Sequence, residues 1–262
     1  MKKSLRALLE GLIDYAGLFP PAALSMQDAV QNYARYRDGE YAFALGKFVV
    51  PADRAAEVPD AFPLSILGVD EIKAATADDV ARIAREANGR TVYIEITEIA
   101  LLDAIAAHGL RAKIRTGGIT PDAFPAIGNI AEFLRACKAK GVAFKATAGL
   151  HHPLRCVRPL TYEPNAVTGS MHGFLNVFLA AALLDHAEAI LEEGDASAFA
   201  FDDEGASWRG HRVSTHDLIA MRRNFATSFG SCSFEEPIDD LRELGWLSEA
   251  VPVTDASMLP QP

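Results

Sequence analysis

Short apolar runs rich in β-formers alternate along almost the whole chain with runs of helical period. The β-like runs cover residues 12–19, 45–50, 64–69, 91–97, 111–116, 142–147, 196–202 and 226–231. Helical patterns lie between and after them at 26–36, 53–58, 77–87, 101–108, 127–140, 171–191, 215–223 and 237–244. Ser25 and Ser214 stand where N-caps belong, and Gly109, Gly141 and Gly245 stand just past the C-termini. Eight such units in 262 residues predict an α/β fold of the (β/α)8 TIM-barrel type. It would be a single domain over 1–262, with a loosely held C-terminal tail carrying Pro252, Pro260 and Pro262. The seventh unit is irregular. Residues 199–213 also read as a β-hairpin turning at Glu204-Gly205, which would be appended to the barrel. An open doubly wound sheet is the competing architecture. Its dinucleotide fingerprint is missing, because the first run leads into Gly17-Leu18-Phe19-Pro20 and offers no GxGxxG.

Polar residues inside these runs are informative, since alternate side chains of a barrel strand point inward. The sixth run carries Lys145 in its middle, with Thr147 at the same parity. An ammonium within an apolar strand is costly unless paired or neutralised. Lys145 is therefore either a structural ion-pair partner or a nucleophile whose pKa burial lowers. Lys47 on the second run, Glu95 on the fourth, and Lys113 and Arg115 on the fifth share the inward parity. The opposite parity holds Phe48, Val50, Ile94, Ile96, Ile114, Phe144 and Ala146. The expected interior is thus basic, with Glu95 as the clearest counter-charge, and it suits a small anionic substrate, carboxylate or phosphate. Gly117 and Gly118 close the fifth strand and could present backbone N–H groups to that anion. Ser231 ends the eighth, where barrels commonly bind phosphate.

Composition narrows the partners. The formal net charge is −10 and no Lys/Arg-rich run stands out, so neither nucleic acid nor a membrane surface is an expected partner. Met1-Lys2-Lys3 opens like a signal peptide, but Arg6, Glu10 and Asp14 interrupt any apolar region behind it. No run reaches the length of a membrane span. Three widely spaced cysteines, Cys137, Cys156 and Cys232, favour a reducing cytoplasm. The most apolar stretch, 174–184, would pair two copies as a homodimer if it were exposed in the monomer.

His151 and His152 follow the lysine strand at its C-terminal mouth, and His172 opens the next helical run. The three form a conceivable zinc set, although no HxH or HExxH spacing is present. A role for His151 or His152 as acid–base or substrate contact is the simpler expectation, without metal. Cys232 could be a nucleophile, but has no evident histidine partner in sequence.

Lys145-Ala146-Thr147-Ala148-Gly149 resembles the Schiff-base strand of class I aldolases, and looks most like the Lys-Thr-Ser-Thr-Gly of deoxyribose-phosphate aldolase. The likeness covers these five residues. That family carries a second lysine on strand seven within Lys-x-x-Gly-Gly-Ile. Here residues 196–202 have none, and Gly117-Gly118-Ile119 follows Lys113 and Arg115 instead. The resemblance implies a carbon–carbon lyase in which Lys145 forms an imine with a small anionic carbonyl substrate, needing no cofactor. Lys113 or Arg115 would depress the Lys145 pKa, and Arg115, with Lys47, Thr147, Gly117, Gly118 and Ser231, would bind substrate. Glu95 would move a proton with His151 or His152. Two other readings stand beside it: a metal-dependent hydrolase or isomerase using His151, His152 and His172, and a non-catalytic barrel that binds a small anion.

Overall fold

A computed structural model describes residues 1–247. The proline-bearing tail predicted to be loosely held lies outside the described residues, apart from its first few positions.

The chain opens with helix α1 (Lys3–Leu9), enters β1 (Ile13–Tyr15), and crosses through α2 (Met26–Arg37) to β2 (Leu45–Pro51). A 3-10 turn leads to β3 (Leu64–Leu67), and the chain then steps sideways through Gly68, Val69 and Asp70 into β4 (Glu71–Lys73). Units of the expected kind follow: α3 (Ala77–Ala87), β5 (Tyr93–Glu95), α4 (Leu102–Ala107), β6 (Arg111–Arg115), α5 (Ile127–Ala139) and β7 (Phe144–Thr147). Next come a two-stranded ribbon, β8 (Cys156–Pro159) with β9 (Thr168–Met171), and the helices α6 (Phe174–Ala182) and α7 (Ala187–Glu192). An antiparallel sheet of β10 (Phe199–Phe201), β11 (Gly205–Trp208) and β12 (His211–Ser214) precedes α8 (Thr215–Asn224), β13 (Ala226–Ser231) and α9 (Glu235–Glu243).

Eight of these strands close a parallel barrel in the order β1-β13-β7-β6-β5-β4-β3-β2, with helices interleaved outside, which is the (β/α)8 TIM-barrel architecture. The closure differs from expectation at two places. Residues 196–202 do not supply the seventh barrel strand. Phe199–Phe201 pairs instead with β11, in the appended antiparallel sheet that the irregular unit allowed for. The missing barrel strand is β4, only three residues long, which pairs with β3 through Leu67↔Glu71 and with β5 along its length. No helix separates β3 from β4, so no change of period marks β4 in the sequence.

Local signals hold elsewhere. The Ser25 hydroxyl accepts from the Asp28 N–H, and Ser214 does the same for Asp217. The inward and outward parities also hold. Phe48, Val50, Ile94, Phe144 and Ala146 belong to the buried core between strands and helices, while Glu95, Lys113 and Lys145 lie inside the barrel. The 171–191 pattern is broken into α6, a 3-10 turn and α7. Phe174, Val177, Phe178 and Ala181 are buried in the chain's own core. Most of the stretch named for pairing two copies is therefore buried within the chain, with Ala182, Leu183 and Leu184 partly exposed at its end. No described helix is long and apolar enough to cross a membrane.

Candidate functional site

A row of alternating charges runs through the barrel. Lys145 on β7 is 1% exposed, and its Nζ donates to Asp14 Oδ2 at 2.7 Å and to Glu71 Oε1 at 2.5 Å. Asp14 comes from β1 and Glu71 from β4, so the two carboxylates reach the ammonium from different strands. Lys113 Nζ lies 2.8 Å from both Glu71 Oε2 and Glu95 Oε2. Glu95 faces in turn Arg115 and Lys73, each at 3.5 Å. Hydroxyl and amide donors complete the carboxylates. Ser228 Oγ and the Lys47 backbone N–H donate to the two oxygens of Asp14, and Ser65 Oγ donates to Glu71. Buried charges are tolerated when paired and fully hydrogen-bonded in this way.

The row sets the protonation states. Burial pushes Lys145 down, but Asp14 and Glu71 more than offset it and its pKa is raised. Burial pushes Glu71 up, but Lys145 and Lys113 overcome this and lower it to about 2. Glu95 is lowered by Lys113, Arg115 and Lys73, which together outweigh its burial. Below the row, Tyr93 places its ring 5.5 Å from Lys145 Nζ and its hydroxyl 2.8 Å from Thr227 Oγ1.

Above the row opens a cavity of about 420 Å³. Its floor includes Lys145, Lys113 and Glu71, and its walls include Arg115, Thr147, Gly117, Gly118, His151 and Cys232. Phe19, Pro20 and Pro21, from the loop after β1, cover one side. Two loops meet closely at the opposite rim. A Cβ on Gly117 would stand 2.8 Å from the Gly149 Cα, and one on Gly149 would stand 2.7 Å from the Gly117 Cα. Gly149 also has φ +74°, which L side chains avoid. Gly149→Ala is therefore expected to cost more than about 1 kcal/mol in urea unfolding, and to move the loop that carries His151.

The structure changes several expected roles. The interior is not basic: Asp14, Glu71 and Glu95 balance Lys113, Lys145 and Arg115. Lys113 does not depress the Lys145 pKa, because Glu71 stands between the two ammonium groups. Glu95 is brought to Lys113 and Arg115 rather than to Lys145. Lys47 has the inward parity, but its exposed side chain does not line the cavity; its amide meets the site through Asp14. Ser231 is buried beside the cavity without lining it, and its Oγ accepts from the Ser233 N–H.

The three histidines do not converge. His151 Nδ1 pairs with Glu236 at 2.9 Å and His152 Nδ1 with Asp240 at 2.6 Å, both acids on α9. His172 Nε2 lies 2.9 Å from the Pro125 carbonyl, and its Nδ1 faces Arg155. Among the described residues, no group of three or more His, Cys, Asp or Glu side chains is arranged to hold a metal ion. His152 lines a separate surface cavity with Cys156, Arg158 and Asp240. Only His151 faces the barrel cavity, and its pKa is raised to about 10: burial opposes the charge, but Cys232 and Glu236 outweigh it.

Asp14 and Glu71 are the site residues absent from the sequence expectation. Asp14 carried a usable signal, a carboxylate inside the apolar run Leu12-Ile13-Asp14-Tyr15-Ala16. Glu71 carried none, because its strand is too short to show a period. Comparison of the chain with protein-family models and with curated proteins finds no match in either case.

Proposed function

We propose that this chain is a carbon–carbon lyase of the aldolase type, in which Lys145 forms an imine with a small anionic carbonyl compound. One observation carries the reading: the buried amine of Lys145 lies on the floor of a cavity between two carboxylates that can exchange protons with it. The raised pKa means that the resting amine is protonated. It becomes a nucleophile by passing a proton to Glu71 or Asp14, each within a single hydrogen bond. Nζ then bonds to the carbonyl carbon, and the carbonyl oxygen leaves as water with two protons, the one held by the carboxyl and one released from Nζ. The resulting iminium draws in the electron pair of the bond between its α- and β-carbons as that bond breaks, Glu71 takes the proton of the β-hydroxyl, and the β-carbon leaves as a carbonyl. Arg115, half-exposed on the cavity wall, suits the anionic group of the substrate. Glu71 takes the shuttle role first assigned to Glu95, since it touches Lys145 and lines the cavity. His151 stands at the wall as a proton donor, because its raised pKa keeps it charged at neutral pH.

The test is borohydride reduction in the presence of pyruvate or of glyceraldehyde 3-phosphate, followed by mass mapping. A reduced adduct on Lys145, forming faster as pH rises, is the expected result. An unmodified Lys145 with both compounds overturns the reading. That outcome would favour the second one, which the ion pairs also support: Lys145 as a structural cation in a barrel that only binds an anion at Arg115.

A further inference from the structure

We propose that Cys232 is a second nucleophile in the cavity, activated by His151 and Glu236, and that it takes up acyl groups from small carbonyl compounds. This does not depend on imine formation at Lys145.

Cys232 follows β13 directly, and His151 follows the Lys145 strand by four residues, so adjacent barrel strands deliver them to one mouth. Both line the 420 Å³ cavity. Cys232 is also, with Glu236, a neighbour that favours the charged form of the His151 ring. Nδ1 of His151 lies 2.9 Å from Glu236 Oε2, so the carboxylate fixes the ring from behind. Glu236 is itself anchored, since its backbone N–H donates to Ser233 Oγ and its Oε2 accepts from the Tyr162 hydroxyl at 3.2 Å. The same hydroxyl lies 3.7 Å from Cys232 Sγ. Thiol, imidazole and carboxylate are therefore gathered at one mouth, the set of groups that acyl-transferring thiols use.

The other two cysteines lie elsewhere in the fold. Cys137 is fully buried on α5, and burial raises its thiol to about 12. Cys156 lies on β8 at the separate surface cavity, and burial is the largest cause of its rise to about 11. Cys156 shares that cavity with the His152–Asp240 pair, but it lies outside the barrel cavity that Cys232 and His151 line.

The step balances without a further reactant. His151, held charged beside Cys232 and Glu236, already carries the proton of the pair, and Sγ bonds to the carbonyl carbon of an ester or thioester. The tetrahedral adduct collapses, the bond from that carbon to the leaving oxygen or sulfur breaks, and His151 returns the proton to the leaving group. Water then attacks the thioester carbon, its proton passes to His151, and the acid and the free thiol are released.

The probes are iodoacetamide and p-nitrophenyl acetate, applied to the full chain at pH 7 with mass mapping. Cys232 is expected to alkylate about tenfold faster than Cys156, an advantage that disappears in urea. p-Nitrophenyl acetate is expected to give a burst of nitrophenolate with acetyl on Cys232. His151→Asn should lower both rates about tenfold or more. Glu236→Gln, on a partly exposed acid, should lower them less and keeps the test valid if the histidine variant folds poorly. Cys232 reacting no faster than Cys156, acetyl found only elsewhere, or full rates in both variants overturns the proposal. The outcome is separate from that at Lys145, because each adduct is mapped to its own residue.

Discussion

Lys145→Met is expected to remove about 3–5 kcal/mol of folding stability, read as a drop in the urea midpoint at constant slope. Methionine matches the volume of the lysine stem, so little of the loss comes from a cavity. It comes from the two buried carboxylates left behind. Asp14 keeps Ser228 and the Lys47 amide, and Glu71 keeps Lys113 and Ser65, but both lose the cation between them. Neutralising one of them at the same time should restore part of the loss, so Lys145→Met/Glu71→Gln should be more stable than Lys145→Met alone. Equal stability of Lys145→Met and the unsubstituted protein would show that the ion pairs contribute nothing net.

Stability should also fall at both ends of the pH scale, for opposite reasons. Glu71 is lowered from the ordinary 4.5 to about 2, so the folded state releases its proton more readily than the unfolded chain. Its contribution, on the order of 3 kcal/mol, is present above pH 4.5 and is lost as pH falls toward 2. His151 is raised from 6.5 to about 10, so its contribution is complete below pH 6.5 and is lost as pH rises through 10. The melting temperature should therefore be highest between about pH 4.5 and 6.5. Glu71→Gln should flatten the acid limb most and His151→Asn the alkaline limb most, each touching the other limb only through its partner, Lys145 or Glu236. A variant that flattens the other limb more than its own would contradict the assignment.

Much of the barrel was legible because its strands and helices carry different periods, and because the inward lysines break apolar runs at one parity. Lys113, Lys145 and Glu95 were found by that break. The partnerships among them were not. Lys145 and Glu71 are 74 residues apart, and the link between β3 and β4 hides the strand that brings Glu71 in. Residues 199–201 show the converse difficulty. Their apolar alternation is that of a strand, and pairing with β11 satisfies it as well as a place in the barrel would. His151 was singled out, but its acid and its thiol come from the segment after β13, and nothing local in the sequence joins them.

The alternating row of charges also bears on how this sequence can drift. Each member answers to neighbours on other strands, so a single replacement leaves an orphan of the opposite sign. Lineages descended from this chain should therefore change Asp14, Glu71, Glu95, Lys113 and Lys145 in concert, one acid with one base. An alignment of such descendants would then show these positions co-varying as couples, however freely the exposed helical faces around them diverge.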